Sequence, residues 1–182
     1  MYEAGFRVIE VPLNSPNPFD SITAIRKALP VDAIVGAGTV LHPSYVSDVK
    51  SAAGELIVMP HSDAEVVIAA KAPGMACSPG VATPNEAFLA LKNGAGVLKM
   101  FPGEQLGCNV VKAWRAVIAS EVPLVPVGGI TPENMGSFLV AGANGFGLGS
   151  ALFKPGQSVA ETAAHAKAYI NGLRAARESI TR

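Results

Sequence analysis

Short runs rich in β-branched and apolar residues recur along this chain at nearly even intervals. They are Arg7–Leu13 (RVIEVPL), Ala33–Gly36 (AIVG), Leu56–Met59 (LIVM), Met75–Ser78 (MACS), Val97–Phe101 (VLKMF), Leu124–Val127 (LVPV) and Gly145–Leu148 (GFGL). Their starts lie 19 to 27 residues apart, the length of one strand, one loop and one helix. Several runs are continuously apolar rather than alternating, which suits parallel strands covered on both faces. Such repetition predicts a parallel α/β fold, either an open doubly wound sheet or a (β/α)8 TIM barrel.

Helix signals fill the gaps. Ser62-Asp63-Ala64-Glu65 and Thr83-Pro84-Asn85-Glu86 fit the capping box, the second with proline at the first helical position. Thr131-Pro132-Glu133 is expected to open another helix the same way, and Pro43 one running toward Ala53. The glycines in 141–143 (AGA) and 93–96 (NGAG) suit helix ends. Val159 to Arg177 is alanine-rich and amphipathic, and MYEAGF at the front reads as the end of a helix feeding a strand. With no linker or low-complexity segment, residues 1–182 are expected to form a single domain. The runs number seven, so the expected barrel is one strand short, lacking its first.

Composition narrows the function. Hydrophobic residues make up 49% and charged residues 15% of the 182, which supports a substantial core. The formal net charge is zero, so nothing points to nucleic acid or an anionic membrane as a partner. The two cysteines, Cys77 and Cys108, have no CxxC spacing, and the three histidines lack metal-site spacing. Neither a metal nor a cofactor is expected. No apolar run approaches the roughly 18–20 residues of a membrane span. No basic-then-apolar leader opens the chain. A cytoplasmic location is the expectation.

The residue that most demands an explanation is Lys99, inside the apolar run VLKMF. It can snorkel at a rim or pair with a buried acid. It can also be a nucleophile, because desolvation lowers a lysine's pKa and frees a neutral amine to attack a carbonyl. Glu10, inside RVIEVPL, is either its structural ion partner or a general acid/base. A buried acid and a buried base on different strands say more together than either alone. Two glycine motifs follow, VGGITPEN at 127–134 and GFGLGSALF at 145–153. They are either plain turns or backbone cradles for an anion, and phosphate sites in barrels use the loops after the last two strands. Thr39, in GAGTVLHP, either bonds a substrate oxygen or caps a helix. Glu86 reads as the capping partner of Thr83, Cys77 as a small buried residue, and Trp114 as helix-to-strand packing.

Taken in order, VIEVPLNSP, GAGTVL, CSPGVATPNEA, LKMFP, VGGITPEN and GLGSALF closely resemble the KDPG/KHG aldolase family. These are class I aldolases acting on 2-keto-3-deoxy-6-phospho sugar acids. The resemblance implies a (β/α)8 barrel, a homotrimer and no metal. It makes Lys99 the Schiff-base lysine and Glu10 the proton donor and acceptor. It matches Gly128, Gly129, Gly149 and Ser150 to phosphate-binding positions and Thr39 to a residue lining the pocket. Asn14, where the phosphogluconate branch carries an arginine-bearing stretch, tilts the substrate toward 2-dehydro-3-deoxy-6-phosphogalactonate, cleaved to pyruvate and glyceraldehyde 3-phosphate. The alternatives are 2-dehydro-3-deoxy-6-phosphogluconate or 4-hydroxy-2-oxoglutarate as substrate, another phosphosugar isomerase or synthase, and an inactive barrel that only binds a phosphorylated metabolite. The departure is at the front. The family's leading ILRG-type strand, whose arginine binds the substrate carboxylate, has no counterpart, and a mis-set start or truncated record is expected to account for it.

Overall fold

Strands form where the apolar runs fall. The structure is a computed structural model and describes residues 1–180. The first strand, β1 (Val8–Pro12), leads to α1 (Pro18–Ala28) and β2 (Ile34–Gly38). Next come α2 (Ser44–Ser51), β3 (Leu56–Val58), α3 (Ala64–Lys71) and β4 (Ala76–Ser78). A two-residue β5 (Gly80–Val81) precedes α4 (Pro84–Asn93) and β6 (Leu98–Met100). The chain continues through α5 (Gly103–Arg115), β7 (Leu124–Pro126), α6 (Met135–Ala141) and α7 (Val159–Ile180). It divides into two compact units, residues 7–99 and residues 1–6 with 100–182.

In the unit of residues 7–99, β1 to β4 lie side by side in chain order and every pairing is parallel. Glu10 is in register with Gly36, and Pro12 with Gly38. The ladder continues past the strand, where Leu13 N–H donates to the Gly38 carbonyl at 2.8 Å. Lys99 N–H donates to the Pro79 carbonyl at 3.0 Å, tying β6 beside β5. Val35, Ala37 and Ile57 on the strands, with Ile22, Val49 and Val66 on the helices, are fully buried. Covering both faces of the sheet explains why these strands read as continuous apolar runs. Arg26 at the end of α1 clasps the next loop, donating to the carbonyls of Ala33, Leu29 and Pro30.

In the other unit, Val127 N–H donates to the Met100 carbonyl at 3.0 Å, and Val127 forms a parallel bridge to Gly147. Met100, Leu124, Met135 and Phe138 are buried, together with Trp114 on α5. Tyr169 on α7 donates to the Ile130 carbonyl at 2.9 Å. Arg115 is this unit's clasp. It donates to the carbonyls of Gly142, Ala119 and Val122 and to Asn144 Oδ1, which also accepts from Leu124 N–H.

Some expectations need correction. The run 145–148 is an isolated bridge rather than a strand. Glycine at 145, 147 and 149 leaves alternate positions without a side chain to pack, which weakens a strand. Thr131-Pro132-Glu133 forms a turn, and the helix starts at Met135. Asn134 Oδ1 accepts from Thr131 N–H at 3.0 Å, so the side-chain–backbone bond competes with the helix at this point. The α3 cap is Asp63, not Ser62: Asp63 Oδ1 accepts from Glu65 and Val66 N–H. The front segment is a single 3₁₀ turn, Tyr2–Ala4. The Thr83–Glu86 capping box forms as read, and Gly94 and Gly142 end α4 and α6.

Candidate active site

Glu10 and Lys99 sit at the middle of β1 and β6, each flanked by apolar residues. Burial pushes the Glu10 carboxyl above the usual carboxylate range, and the positive charge of Lys99 partly offsets it. Burial likewise pulls the Lys99 ammonium below the usual lysine range, and the negative charge of Glu10 partly offsets that. Each group therefore feels the other's charge, and for both the loss of water outweighs the attraction. Glu10 is not sealed, however. The residue stays exposed although protein crowds its carboxyl group, and Lys99 is half-buried. The acid and the base expected to be buried are therefore only partly so. Protein desolvates both groups while water still reaches them.

Gly38 makes room for the carboxylate. A methyl group at Gly38 would lie 1.6 Å from Glu10 Oε2 and 2.3 Å from its carboxyl carbon. Any side chain at this position displaces Glu10. Sequence reading passed over this residue, although the GAG at 36–38 held the signal: a glycine in register beside a strand that carries a lone acid. The next residue, Thr39, is half-buried with φ 55°, a left-handed conformation uncommon for threonine. Helix α2 is capped at Pro43, so the capping alternative for Thr39 does not hold. Asn14 lies exposed in the turn after β1, where Ser15 N–H and its hydroxyl both donate to the Pro12 carbonyl.

The glycine motifs lie in the other unit. Gly128 and Gly129 follow β7 with φ 103° and 67°. Gly149 and Ser150 are exposed. The Val127–Gly147 bridge starts both loops side by side. Asn134 Nδ2 holds the first loop by donating to the Gly129 carbonyl at 2.8 Å.

The other candidates resolve simply. The Cys77 thiol is buried and pushed up to about 12, which removes it as a thiolate nucleophile. Glu86 accepts from Ala82 and Thr83 N–H, and these bonds hold its carboxyl below the ordinary value. Among the described residues no three His, Cys, Asp or Glu side chains come together as a metal site, and no helix is long and apolar enough to cross a membrane.

Parallel β/α units that bring a desolvated lysine within electrostatic reach of a carboxylate define a class, the α/β enzymes that can attack a carbonyl with an amine. The family model for KDPG and KHG aldolase matches residues 1–167, and the chain belongs to that family. It is an aldolase, a lyase. It is 45% identical over 174 residues to the 2-dehydro-3-deoxy-6-phosphogalactonate aldolase of Escherichia coli, covering 96% of this chain and 85% of that one. It is similar to the solved native KDPGal structure, with 44% identity and a TM-score of 0.95 over 97% of this chain and 86% of the other. It is also similar to KDPG aldolase from Legionella pneumophila, solved with pyruvate captured as a covalent carbinolamine. That match has 26% identity and a TM-score of 0.78 over 96% of this chain and 83% of the other. The parallel α/β fold of (β/α)8 barrel type read from the sequence agrees with these structures.

Proposed function

We propose that residues 1–182 act as one functional domain that cleaves 2-dehydro-3-deoxy-6-phosphogalactonate to pyruvate and glyceraldehyde 3-phosphate. Neutral Lys99 attacks the C2 ketone, and the carbinolamine loses water to give a protonated imine. Glu10 moves the protons of this dehydration and takes the C4 hydroxyl proton as the C3–C4 bond breaks. The bonding electrons pass into the imine, giving an enamine, and glyceraldehyde 3-phosphate leaves. Protonation at C3 and hydrolysis release pyruvate and restore the amine. Gly128, Gly129, Gly149 and Ser150 hold the phosphate through backbone N–H groups, and this remote anchorage orients the scissile bond. Thr39 and Asn14 contact the sugar-acid chain.

The observation that carries this reading is the mutual influence of Glu10 and Lys99, with desolvation favouring the neutral form of each. The amine needs that neutral form to attack. Borohydride added with pyruvate is expected to fix a covalent adduct on Lys99, located by peptide mapping. An adduct at another residue, or none on folded protein, overturns the reading. Assays of the galactonate and gluconate epimers side by side test the substrate. A higher kcat/KM for the gluconate form moves the assignment to the alternative branch.

The same reading includes a cytoplasmic location and a homotrimer. The trimer is supported by the resemblance, and by Ile68 on α3 with Phe88 and Leu89 on α4, which stay about half exposed. Light scattering on the purified chain is expected to give three times the mass of 18.6 kDa; a monomer mass removes the trimer.

A further inference from the structure

The first turn of α5 brings a negative charge onto the glycine pair. Gly103 N–H donates to the Val127 carbonyl at 2.7 Å, docking the helix start against the residue that precedes Gly128. The next residue, Glu104, lies across the loop. A methyl group on Gly128 would fall 2.2 Å from Glu104 Oε2, and one on Gly129 would fall 2.5 Å from Glu104 Cβ. The side chain therefore occupies the space that a Cβ on either glycine would fill. Glu104 is exposed and forms no ion pair or hydrogen bond among the described residues. No partner neutralises its charge where it meets the loop. The Gly128 and Gly129 N–H groups likewise donate to no acceptor among the described residues. Two free backbone donors favour an anion, and a carboxylate beside them disfavours one.

We propose that Glu104 weakens anion binding at the Gly128–Gly129 loop. The inference rests on the phosphate role given above to that loop. A dianionic phosphoryl group on these amides would share the loop with the Glu104 carboxylate, whose Oε2 lies against the Cβ position of Gly128. Free phosphate and a phosphorylated substrate on the loop are weakened together by this like-charge repulsion. The same repulsion hastens departure of the phosphorylated aldehyde once the C3–C4 bond is broken. Its position on an exposed surface limits the effect to a Coulomb interaction in a largely aqueous medium, about five- to tenfold in affinity at low salt.

The test uses inorganic phosphate as a competitive inhibitor of the whole enzyme and of E104Q, which keeps the shape and removes the charge. In E104Q the phosphate Ki is expected to fall about five- to tenfold and the KM for phosphorylated substrate to fall with it. The difference is expected to shrink in about 0.5 M salt, where screening shortens the reach of the charge. Borohydride trapping with pyruvate, which carries no phosphate, is expected to match the parent and so reports that E104Q is folded. E104A repeats the comparison without the amide. A Ki and KM within twofold of the parent overturn the proposal and leave the phosphate reading standing. A rise in Ki also overturns it, because Glu104 then helps to bind. If phosphate inhibits neither protein while pyruvate is still trapped, the phosphate role of the loop fails and this proposal fails with it.

Discussion

The β1/β6 region and the glycine loops prepare for a reaction in opposite ways. At Glu10 and Lys99 the fold places ionisable side chains where water is scarce, and desolvation biases both toward their neutral forms. At Gly128 and Gly129 the fold removes side chains and offers backbone N–H groups in a left-handed conformation that glycine adopts without strain. One region changes what its groups are, and the other only directs where groups point. Substitutions in the first should act on kcat. Substitutions in the second should act first on affinity for a charged group.

The strongest way to break this contrast is K99A. It is expected to lower kcat by about 10⁴-fold or more and to abolish pyruvate trapping, since a covalent route without its nucleophile is lost as a unit. Residual turnover within about tenfold of the parent would remove Lys99 from its role. E10Q is expected to lower kcat by about 10²- to 10⁴-fold, the usual range for losing a general acid/base. Pyruvate trapping on Lys99 is expected to survive in this variant, and full turnover would return Glu10 to a structural role. G38A sharpens the same point from a residue that does no chemistry. Its methyl group would collide with the Glu10 carboxylate, and a displacement of that kind costs roughly 10²-fold in rate. If kcat in G38A stays within twofold, the position of the carboxylate is unimportant.

A smaller effect separates the two regions by stability. R115A removes a guanidinium that serves three carbonyls and Asn144 Oδ1 in the unit holding the glycine loops. The loss is expected to be about 2–4 kcal/mol by chemical denaturation, with trapping on Lys99 retained below the transition.

The smallest effect is a direction. The charge of Glu10 holds the Lys99 pKa up against the lowering by burial, so E10Q should move the pH midpoint of Lys99 modification by an amine reagent downward. An upward move would mean that the two groups do not share the field described. The linkage signs agree with this. Glu10 is raised in the folded state, so its contribution to stability is present at low pH and lost as pH rises through the folded value. Lys99 is lowered, so its contribution is present above the unfolded value and lost as pH falls through the folded one.

Much of this was legible in the sequence because local chemistry announces it. A lysine and a glutamate inside apolar runs stand out, since burying a charge is costly enough to need a reason. The Thr83–Glu86 box, Gly94 and Gly142 are read from neighbours a few residues apart, and they form as read. The failures have the opposite cause. The Thr131-Pro132-Glu133 signal lost to the Asn134 side chain. Residues 145–148 kept the spacing of a strand, but their glycines left too little to pair. Gly38 and Glu104 were missed because their meaning depends on atoms 28 and about 25 positions away, which no local pattern contains.

By itself the sequence determined the class of fold and singled out Glu10 and Lys99, because periodic hydrophobicity and a charge inside an apolar run are properties of short stretches. The tertiary structure decided how strongly each group of the pair acts, through how much water remains around Glu10 and Lys99. It also decided which residues leave room for others. Desolvation and excluded space are set by atoms that arrive from distant parts of the chain, so neither exists until the strands have been brought side by side.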